Sequence, residues 1–210
     1  MLSAARSTLN VRRPWRRRWS DGYVELDPVT ATKRLIAAAR RRDASSFEVL
    51  VRLHVDRLHG AARLILRDDD AAHDAVQDAL VRAWVDLPSL RDADRFEGWL
   101  QRLLVHACMD QLRRDRRWTA RLRLLPPPSH VEAGTDAIAD RDAIGSAFRH
   151  LSGDHRVILT LHFYLDLPPA EIAARMGIAP GTARSRLHYA LEAFRAAMAA
   201  DERSSEGASA

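Results

Sequence analysis

The sequence has a single cysteine and no long apolar run. Cys108 is the only cysteine among 210 residues, which excludes an intramolecular disulfide and a cysteine-based zinc cluster. No apolar run approaches the ~20 residues that a membrane-spanning helix needs. The basic start is not followed by the apolar stretch of a signal peptide. We therefore expect a cytoplasmic protein without membrane insertion, in which Cys108 is a buried, unreactive thiol.

Lysine is nearly absent as well, and arginine supplies almost all of the positive charge of the chain. Lys33 is the only lysine, and the formal net charge is +5. The first 20 residues hold six arginines and no acidic residue, residues 66–98 hold four arginines and nine acidic residues, and residues 99–123 hold seven arginines and two acidic residues. An acidic stretch beside a basic one predicts two different partners, one of them a polyanion.

Strand-like alternation is absent, and apolar residues recur at helical spacing along most of the chain. One helical pattern begins near Thr30 and continues past residue 60, a second covers about 71–87, and a third about 96–117. The segment "DLPSLRDADR" before the third helix is predicted to be a loop. The predicted apolar stripe of the first pattern consists of Phe47, Leu50, Val51, His54, Leu58, Ala61, Leu64 and Ile65. The fold class is therefore all-α.

Composition divides the chain into two small helical domains with flanking segments. Three consecutive prolines at 126–128 favour an extended path without internal hydrogen bonds, as in an interdomain linker. The predicted segments are a disordered basic extension (1–29), a first helical domain (30–118), a Pro-rich linker (119–137), a second helical domain (138–199) and a disordered tail (200–210).

The segment "MGIAPGTARSRLHYA", residues 176–190, has the pattern of a helix-turn-helix. Gly177 is suited to end one helix in the left-handed conformation, and Pro180 to begin the next. Six polar or aromatic residues lie off the apolar stripe of the second helix and are candidates for DNA contact: Thr182, Arg184, Ser185, Arg186, His188 and Tyr189. The alternative is a solvated helix of an all-α core.

Three stretches, in this order and spacing, resemble the extracytoplasmic-function (ECF) sigma factors of bacterial RNA polymerase. They are "DAVQDALVRAW", "FEGWLQRLLVHACMDQLRR" and "LPPAEIAARMGIAPGTARSRLHYALEAFR", and the resemblance covers about residues 43–198. It implies a sigma2-like helical bundle and a sigma4-like helix-turn-helix domain. It also implies promoter-specific transcription initiation, with core RNA polymerase and promoter DNA as partners.

The resemblance assigns polymerase binding to the acidic second helix. Asp74, Gln77, Asp78 and Arg82 match the family's contact with the clamp helices of the largest polymerase subunit. Acidic and amide side chains on an exposed helix suit an arginine-rich partner. Without the family, the same residues would be an ordinary solvated face.

Recognition of the minus-10 element falls, by the same resemblance, to the third helix and the loop before it. The family holds an unstacked base in a pocket of this loop, here about residues 88–95, including Pro88, Ser89, Leu90 and Arg91. Helix residues at matching positions are Arg102, His106, Asp110, Arg113 and Arg114. His106 stands where the family commonly has asparagine. Trp99 is assigned to packing.

The second domain would read the minus-35 element. Helical geometry directs Arg184, Ser185, His188 and Tyr189 toward bases, whereas Thr182 and Arg186 suit phosphate contact or packing. The family implies further contact with the flap of the second-largest polymerase subunit and, in many members, an anti-sigma factor.

Two other function classes are weighed against this one. A helix-turn-helix repressor or activator would bind symmetric duplex sites as a dimer. An enzyme is disfavoured, because the histidines are scattered without metal-ligand spacing and no glycine-rich phosphate loop is present. We predict no catalytic residue, no metal and no cofactor.

Overall fold

The computed structural model describes residues 28–122 and 143–208, which all lie in helices or in the short segments that join them. The prediction of an all-α fold is confirmed. Residues 1–27 of the predicted basic extension and residues 123–137 of the predicted linker lie outside this part of the chain. No helix in it is long and apolar enough to cross a membrane.

The first domain contains four helices. Two short 3₁₀ turns, Leu87–Ser89 and Ala93–Arg95, occupy the segment predicted as a loop. The helices are α1 (Pro28–Arg40), α2 (Ala44–Leu66), α3 (Asp69–Asp86) and α4 (Phe96–Leu122). α4 therefore extends four residues into the segment predicted as linker.

The points at which these helices end and begin have local causes. The first helical pattern, which the sequence indicated as continuous, is interrupted where Arg42 adopts a left-handed φ of 69°. Asp43 then caps α2 by accepting a hydrogen bond from the Ser46 amide at 3.3 Å. α2 ends at Arg67, φ 61°, and Asp68 caps α3 by accepting from the Ala71 amide at 2.7 Å.

The buried face of α2 follows most of the predicted stripe. Leu50, Leu58, Ala61 and Ile65 are buried, whereas Leu64 is 37% exposed. Its inclusion was wrong, because at 3.6 residues per turn it lies about 120° around the helix from Leu58.

Cys108 lies within the core that α4 shares with its neighbours. It has no solvent exposure, and burial raises the pKa of its thiol to about 12. The thiol therefore stays protonated at neutral pH, which agrees with the prediction of an unreactive cysteine.

The part of the second domain that the structure describes, from residue 143 onward, contains four further helices. A single π-helical turn, Thr160–Tyr164, continues the second of them without a break. The helices are α5 (Ala143–Arg149), α6 (Gly153–Leu159), α7 (Pro169–Met176) and α8 (Pro180–Ala208).

α8 continues through most of the segment that was predicted to be a disordered tail. That prediction is wrong for residues 200–208, which are helical. The alanine-rich run before them favours helix. Asp201 is only partly exposed, and its Oδ1 lies 3.6 Å from His150 Nε2, which ties this part of α8 to the end of α5.

The two domains pack directly on one another. Buried side chains from both form one continuous apolar cluster that runs from Ile36 in α1 to Ala190 in α8. The sequence indicated two domains and a linker but did not indicate this contact.

Candidate functional site

The predicted polymerase-binding residues share the solvent face of α3. Asp74, Gln77, Asp78 and Arg82 are all exposed, and Val81 beside them is 57% exposed. The opposite face of the helix is buried through Ala72, Ala75, Val76, Ala79 and Ala83. The predicted orientation of the helix is thus confirmed.

An apolar groove runs beside this face, between α2 and α3. Its volume is about 470 Å³. Phe47 and Trp84 meet at one end with ring centroids 5.0 Å apart. The groove is lined by Phe47, Val51, Val55, His59, His73, Val76, Gln77, Leu80, Val81 and Trp84. Gln77 therefore belongs to both the acidic face and the groove.

Sequence reasoning missed this groove, although the sequence carried a signal for it. Helical spacing puts Val81 on the outer face of α3, away from the buried alanines. Val85, one turn further on, is also 57% exposed. Apolar side chains grouped on an exposed helix beside an apolar groove are typical of a protein-binding surface.

The predicted minus-10 residues of α4 form a second surface. Arg102, Arg113 and Arg114 are exposed, whereas His106 and Asp110 are partly buried. Burial, reinforced by the positive charge of Arg102, lowers the pKa of His106 below its ordinary value of 6.5. The imidazole is therefore neutral at pH 7 and can both donate and accept a hydrogen bond.

Ion pairs join the α3 and α4 surfaces. Asp110 Oδ1 lies 2.8 Å from Arg113 Nη1, and Asp110 Oδ2 lies 3.7 Å from Arg82 Nη1. Arg114 Nη2 lies 3.8 Å from Asp78 Oδ2. The residues predicted for polymerase and for DNA thus form one continuous charged surface, an adjacency that the sequence did not reveal.

The loop before α4 requires one correction. Pro88, Ser89 and Arg91 are exposed, but Leu90 is only 9% exposed and packs into the core. The Leu90 side chain therefore anchors the loop and is removed from the predicted DNA contacts. Ser89 Oγ donates a hydrogen bond to the Asp86 carbonyl at 2.6 Å, which holds the loop against the end of α3.

The helix-turn-helix has the geometry that its sequence predicted. Gly177 ends α7 with a left-handed φ of 67°, and Pro180 begins α8. Ala183, Leu187 and Ala190 are buried beneath the helix. The six predicted DNA-contacting residues are all exposed on the outer side: Thr182, Arg184, Ser185, Arg186, His188 and Tyr189.

Two profiles of known protein families match the chain, one in each domain. The profile described as Sigma-70 region 2 matches residues 50–119. The profile described as Sigma-70, region 4, matches residues 141–194. The first match contains the surfaces of α3 and α4, and the second contains the helix-turn-helix.

Characterised bacterial proteins are similar over most of their own length. The ECF RNA polymerase sigma factor SigL of Mycobacterium tuberculosis is 30% identical over 169 residues, which cover 76% of this chain and 93% of SigL. SigM of the same species is 33% identical, over 72% of this chain and 76% of SigM. The RNA polymerase sigma-E factor of Streptomyces avermitilis is 30% identical, over 71% of this chain and 83% of that protein.

Solved structures show the same fold. CnrH, in complex with the cytosolic domain of CnrY, is 26% identical with a TM-score of 0.59, over 81% of this chain and 99% of CnrH. The sigma factor RpoE of Bartonella quintana, in complex with the anti-sigma factor NepR, is 24% identical with a TM-score of 0.59, over 75% of this chain and 99% of RpoE.

Proposed function

We propose that separate surfaces of this chain carry out the separate steps of transcription initiation. The chain belongs to the ECF family of RNA polymerase sigma factors. As a member of this family, it binds core RNA polymerase and directs initiation at specific promoters. Polymerase binding and promoter reading require separate surfaces, and the chain exposes separate polar faces on α3, α4 and α8.

Polymerase binding is assigned to the α3 face and the groove beside it. Asp74 and Asp78 would pair with basic groups of the clamp helices of the largest subunit. The groove would take an apolar side chain from the same partner, because Gln77 and Val81 lie at its border with the charged face. An apolar anchor ringed by polar contacts is the usual arrangement of a protein-binding hot spot.

Minus-10 recognition is assigned to α4 and the loop before it. The exposed arginines Arg102, Arg113 and Arg114 would bind phosphates along the opened DNA. Neutral His106 would hydrogen-bond a base or sugar edge, and the loop residues Pro88, Ser89 and Arg91 would border the pocket for the unstacked base.

Minus-35 recognition is assigned to the exposed face of α8. Arg184, Ser185, His188 and Tyr189 would meet base edges in the major groove, while Thr182 and Arg186 would contact phosphates. The same domain would contact the flap of the second-largest subunit.

We also propose an anti-sigma factor as a partner, the type of protein in complex with which the structure of RpoE of Bartonella quintana was solved. Because it works with the polymerase, the chain is proposed to act in the cytoplasm.

The observation that carries this proposal is that the α3 and α8 residues assigned to these contacts, together with the three arginines of α4, are exposed on the faces their roles require. The test is size-exclusion chromatography of the chain with core polymerase. A one-to-one complex that then protects promoter DNA is expected. A chain that instead protects symmetric duplex sites alone, as a dimer, would be a repressor or activator.

A further inference from the structure

The face of α4 that is assigned to DNA continues beyond the last residue assigned to it. Arg117 lies one turn after Arg113 and is exposed. At about 100° per residue, the directions of Arg102, His106 and Arg113 all fall within about 60° of the direction of Arg117 around the helix axis. Arg117 therefore belongs to the same face of the helix, one turn nearer to its end.

The charge of Arg117 is not compensated in the free protein. The neighbouring arginines Arg113, Arg114 and Arg116 each lie within 3.8 Å of an aspartate. Among the residues that the structure describes, no acidic side chain lies within ion-pair distance of Arg117. An anionic partner can therefore take this charge without breaking an existing ion pair.

The side chain of Arg117 is held along the surface of the helix. Its Nε donates a hydrogen bond to the Arg113 carbonyl at 3.2 Å, which turns the side chain toward the minus-10 residues. Its two Nη groups make no hydrogen bond to any described residue and stay available as donors. A guanidinium group that is held in this way suits a phosphate, because it offers two parallel donors and loses little side-chain entropy on binding.

The residues on either side of Arg117 point elsewhere. Arg116 turns toward the second domain, where its Nη2 lies 3.0 Å from Asp154 Oδ1. Trp118 is 64% exposed, but its direction differs from that of His106 by about 120° around the helix axis. The direction of its side chain therefore distinguishes Arg117 from its neighbours at this basic end of α4.

The position of Arg117 along α4 indicates which part of the promoter it meets. The loop assigned to the unstacked base precedes α4, and the chain continues from the other end of α4 to the second domain, which is assigned to the minus-35 element. The end of α4 at Leu122 is therefore the end nearer to that element. Arg117 lies about 16 Å along the helix from His106. This distance corresponds to about five base pairs of duplex DNA.

We propose that Arg117 binds a phosphate of the duplex DNA between the two promoter elements, about five base pairs toward the minus-35 element from the DNA that His106 contacts. The contact is made to the backbone, so it adds affinity and fixes the position of the duplex without reading its sequence. This inference rests on the proposed function, because it extends the surface to which minus-10 recognition is assigned.

Two promoter fragments test the proposal in complexes of the full chain with core polymerase. The promoter is one at which the chain directs initiation, and both fragments carry the minus-10 element and the DNA downstream of it. The shorter fragment ends at the upstream edge of the minus-10 element. The longer fragment carries about eight further base pairs of duplex, or ~27 Å, which are too few to include the minus-35 element. Dissociation constants are measured by fluorescence anisotropy of the labelled fragments.

Arg117→Ala should weaken binding to the longer fragment about five- to tenfold at ~0.1 M salt, the effect of one lost phosphate contact. Binding to the shorter fragment should be unchanged. On the longer fragment, the plot of log K against log salt concentration should become shallower by about one. Arg117→Lys keeps the charge and should restore this slope and most of the affinity. The thermal midpoint of Arg117→Ala should match the parent, since alanine at an exposed helix position favours helix.

The two neighbouring residues provide matched controls. Arg116→Ala removes the same charge one residue away, and its exposed ion pair with Asp154 contributes little to stability. Trp118→Ala removes an exposed side chain from the next position. Both variants should keep the preference of the parent for the longer fragment and its salt dependence.

Three results would overturn the inference. The first is an equal loss of affinity for both fragments in Arg117→Ala, or no loss for either. The second is a loss of affinity for core polymerase without DNA, which would make Arg117 a polymerase contact. The third is an effect that disappears when the added base pairs are replaced by others, since a phosphate contact does not depend on sequence. If the parent chain confers no binding to either fragment on core polymerase, the proposed function fails instead, so the two failures are distinguishable.

Discussion

Arg114 Nη2 on α4 lies 3.8 Å from Asp78 Oδ2 on α3. A residue assigned to DNA phosphates therefore neutralises one assigned to polymerase in the free protein. If a basic group of the polymerase takes Asp78, Arg114 becomes available to DNA. The pair is exposed on both sides and contributes little to stability. Changes at Asp78 should consequently act on binding and not on folding.

Charge reversal on α3 tests the polymerase contact. Asp74→Arg with Asp78→Arg should lower the affinity for core polymerase about 30-fold or more, equivalent to ~2 kcal/mol, because like charges would then face each other. Affinity is measured by titration of labelled protein with core polymerase. Asp56→Arg, at an exposed aspartate of α2, is the control with one reversed charge and should bind normally. Undiminished binding by the double variant would refute the assignment of α3.

The groove beside α3 can be tested without a change in any existing charge. Val81→Asp should weaken polymerase binding about tenfold, since a carboxylate at the border of an apolar groove opposes insertion of an apolar side chain. The thermal midpoint should hardly move, because Val81 is already 57% exposed. Val29→Asp on α1, where valine is 56% exposed, is the matched control. Equal affinities for the two variants would exclude the groove from the interface.

Arg184 tests the reading face of α8. Arg184→Ala should reduce transcription from a promoter with an intact minus-35 element about 5- to 150-fold, the loss of ~1–3 kcal/mol expected for a base contact. Core polymerase binding should be retained. Arg195→Ala is the control on the same helix, because Arg195 pairs with Glu192 at 2.7 Å. Loss of polymerase binding in the Arg184 variant would contradict the division of the two domains.

Stability should decline on mild acidification because of His54. Burial, aided by Arg57 and opposed by Glu97, lowers the pKa of His54 below 6.5. Below about pH 6.5 the unfolded chain therefore binds this proton more readily than the folded chain, and the free energy of unfolding falls. The stability that neutral His54 contributes is fully present above that pH. It is lost as the pH falls toward the lowered pKa that His54 has in the folded protein.

Urea unfolding at pH 7.5 and pH 5.5 measures this effect. His54→Gln should reduce the loss of stability between the two pH values. Some loss should remain, because burial also lowers the pKa of His106. Exposed His188 provides the control, as His188→Gln should leave the pH dependence as it is. An unchanged pH dependence in His54→Gln would show that His54 does not control it.

Local chemistry explains which parts of the fold the sequence predicted. The end of α7 at Gly177 and the start of α8 at Pro180 follow from backbone preferences of single residues. The outward face of α3 follows from the spacing of small apolar residues on its buried side. These rules need only neighbours within two helical turns.

Features that depend on distant neighbours could not be predicted in this way. The break between α1 and α2 uses a left-handed arginine, Arg42, whose side chain reaches the Trp84 carbonyl at 2.6 Å. The side chain of Leu90 packs into the core and is therefore not exposed with the other predicted loop residues. The packing of the Tyr164 ring against Gly60 joins residues about a hundred positions apart, and no local pattern encodes it. The assignments of polymerase, minus-10 and minus-35 contacts remain predictions for the experiments above.

The central claim is tested most directly by run-off transcription. The purified chain is mixed with core RNA polymerase and a library of genomic upstream fragments. The account predicts initiation at a defined subset of fragments only when the chain is present, and that those fragments share two elements at a fixed spacing. Initiation that does not depend on the chain, or no initiation together with protection of symmetric duplex sites by the chain alone, would contradict it.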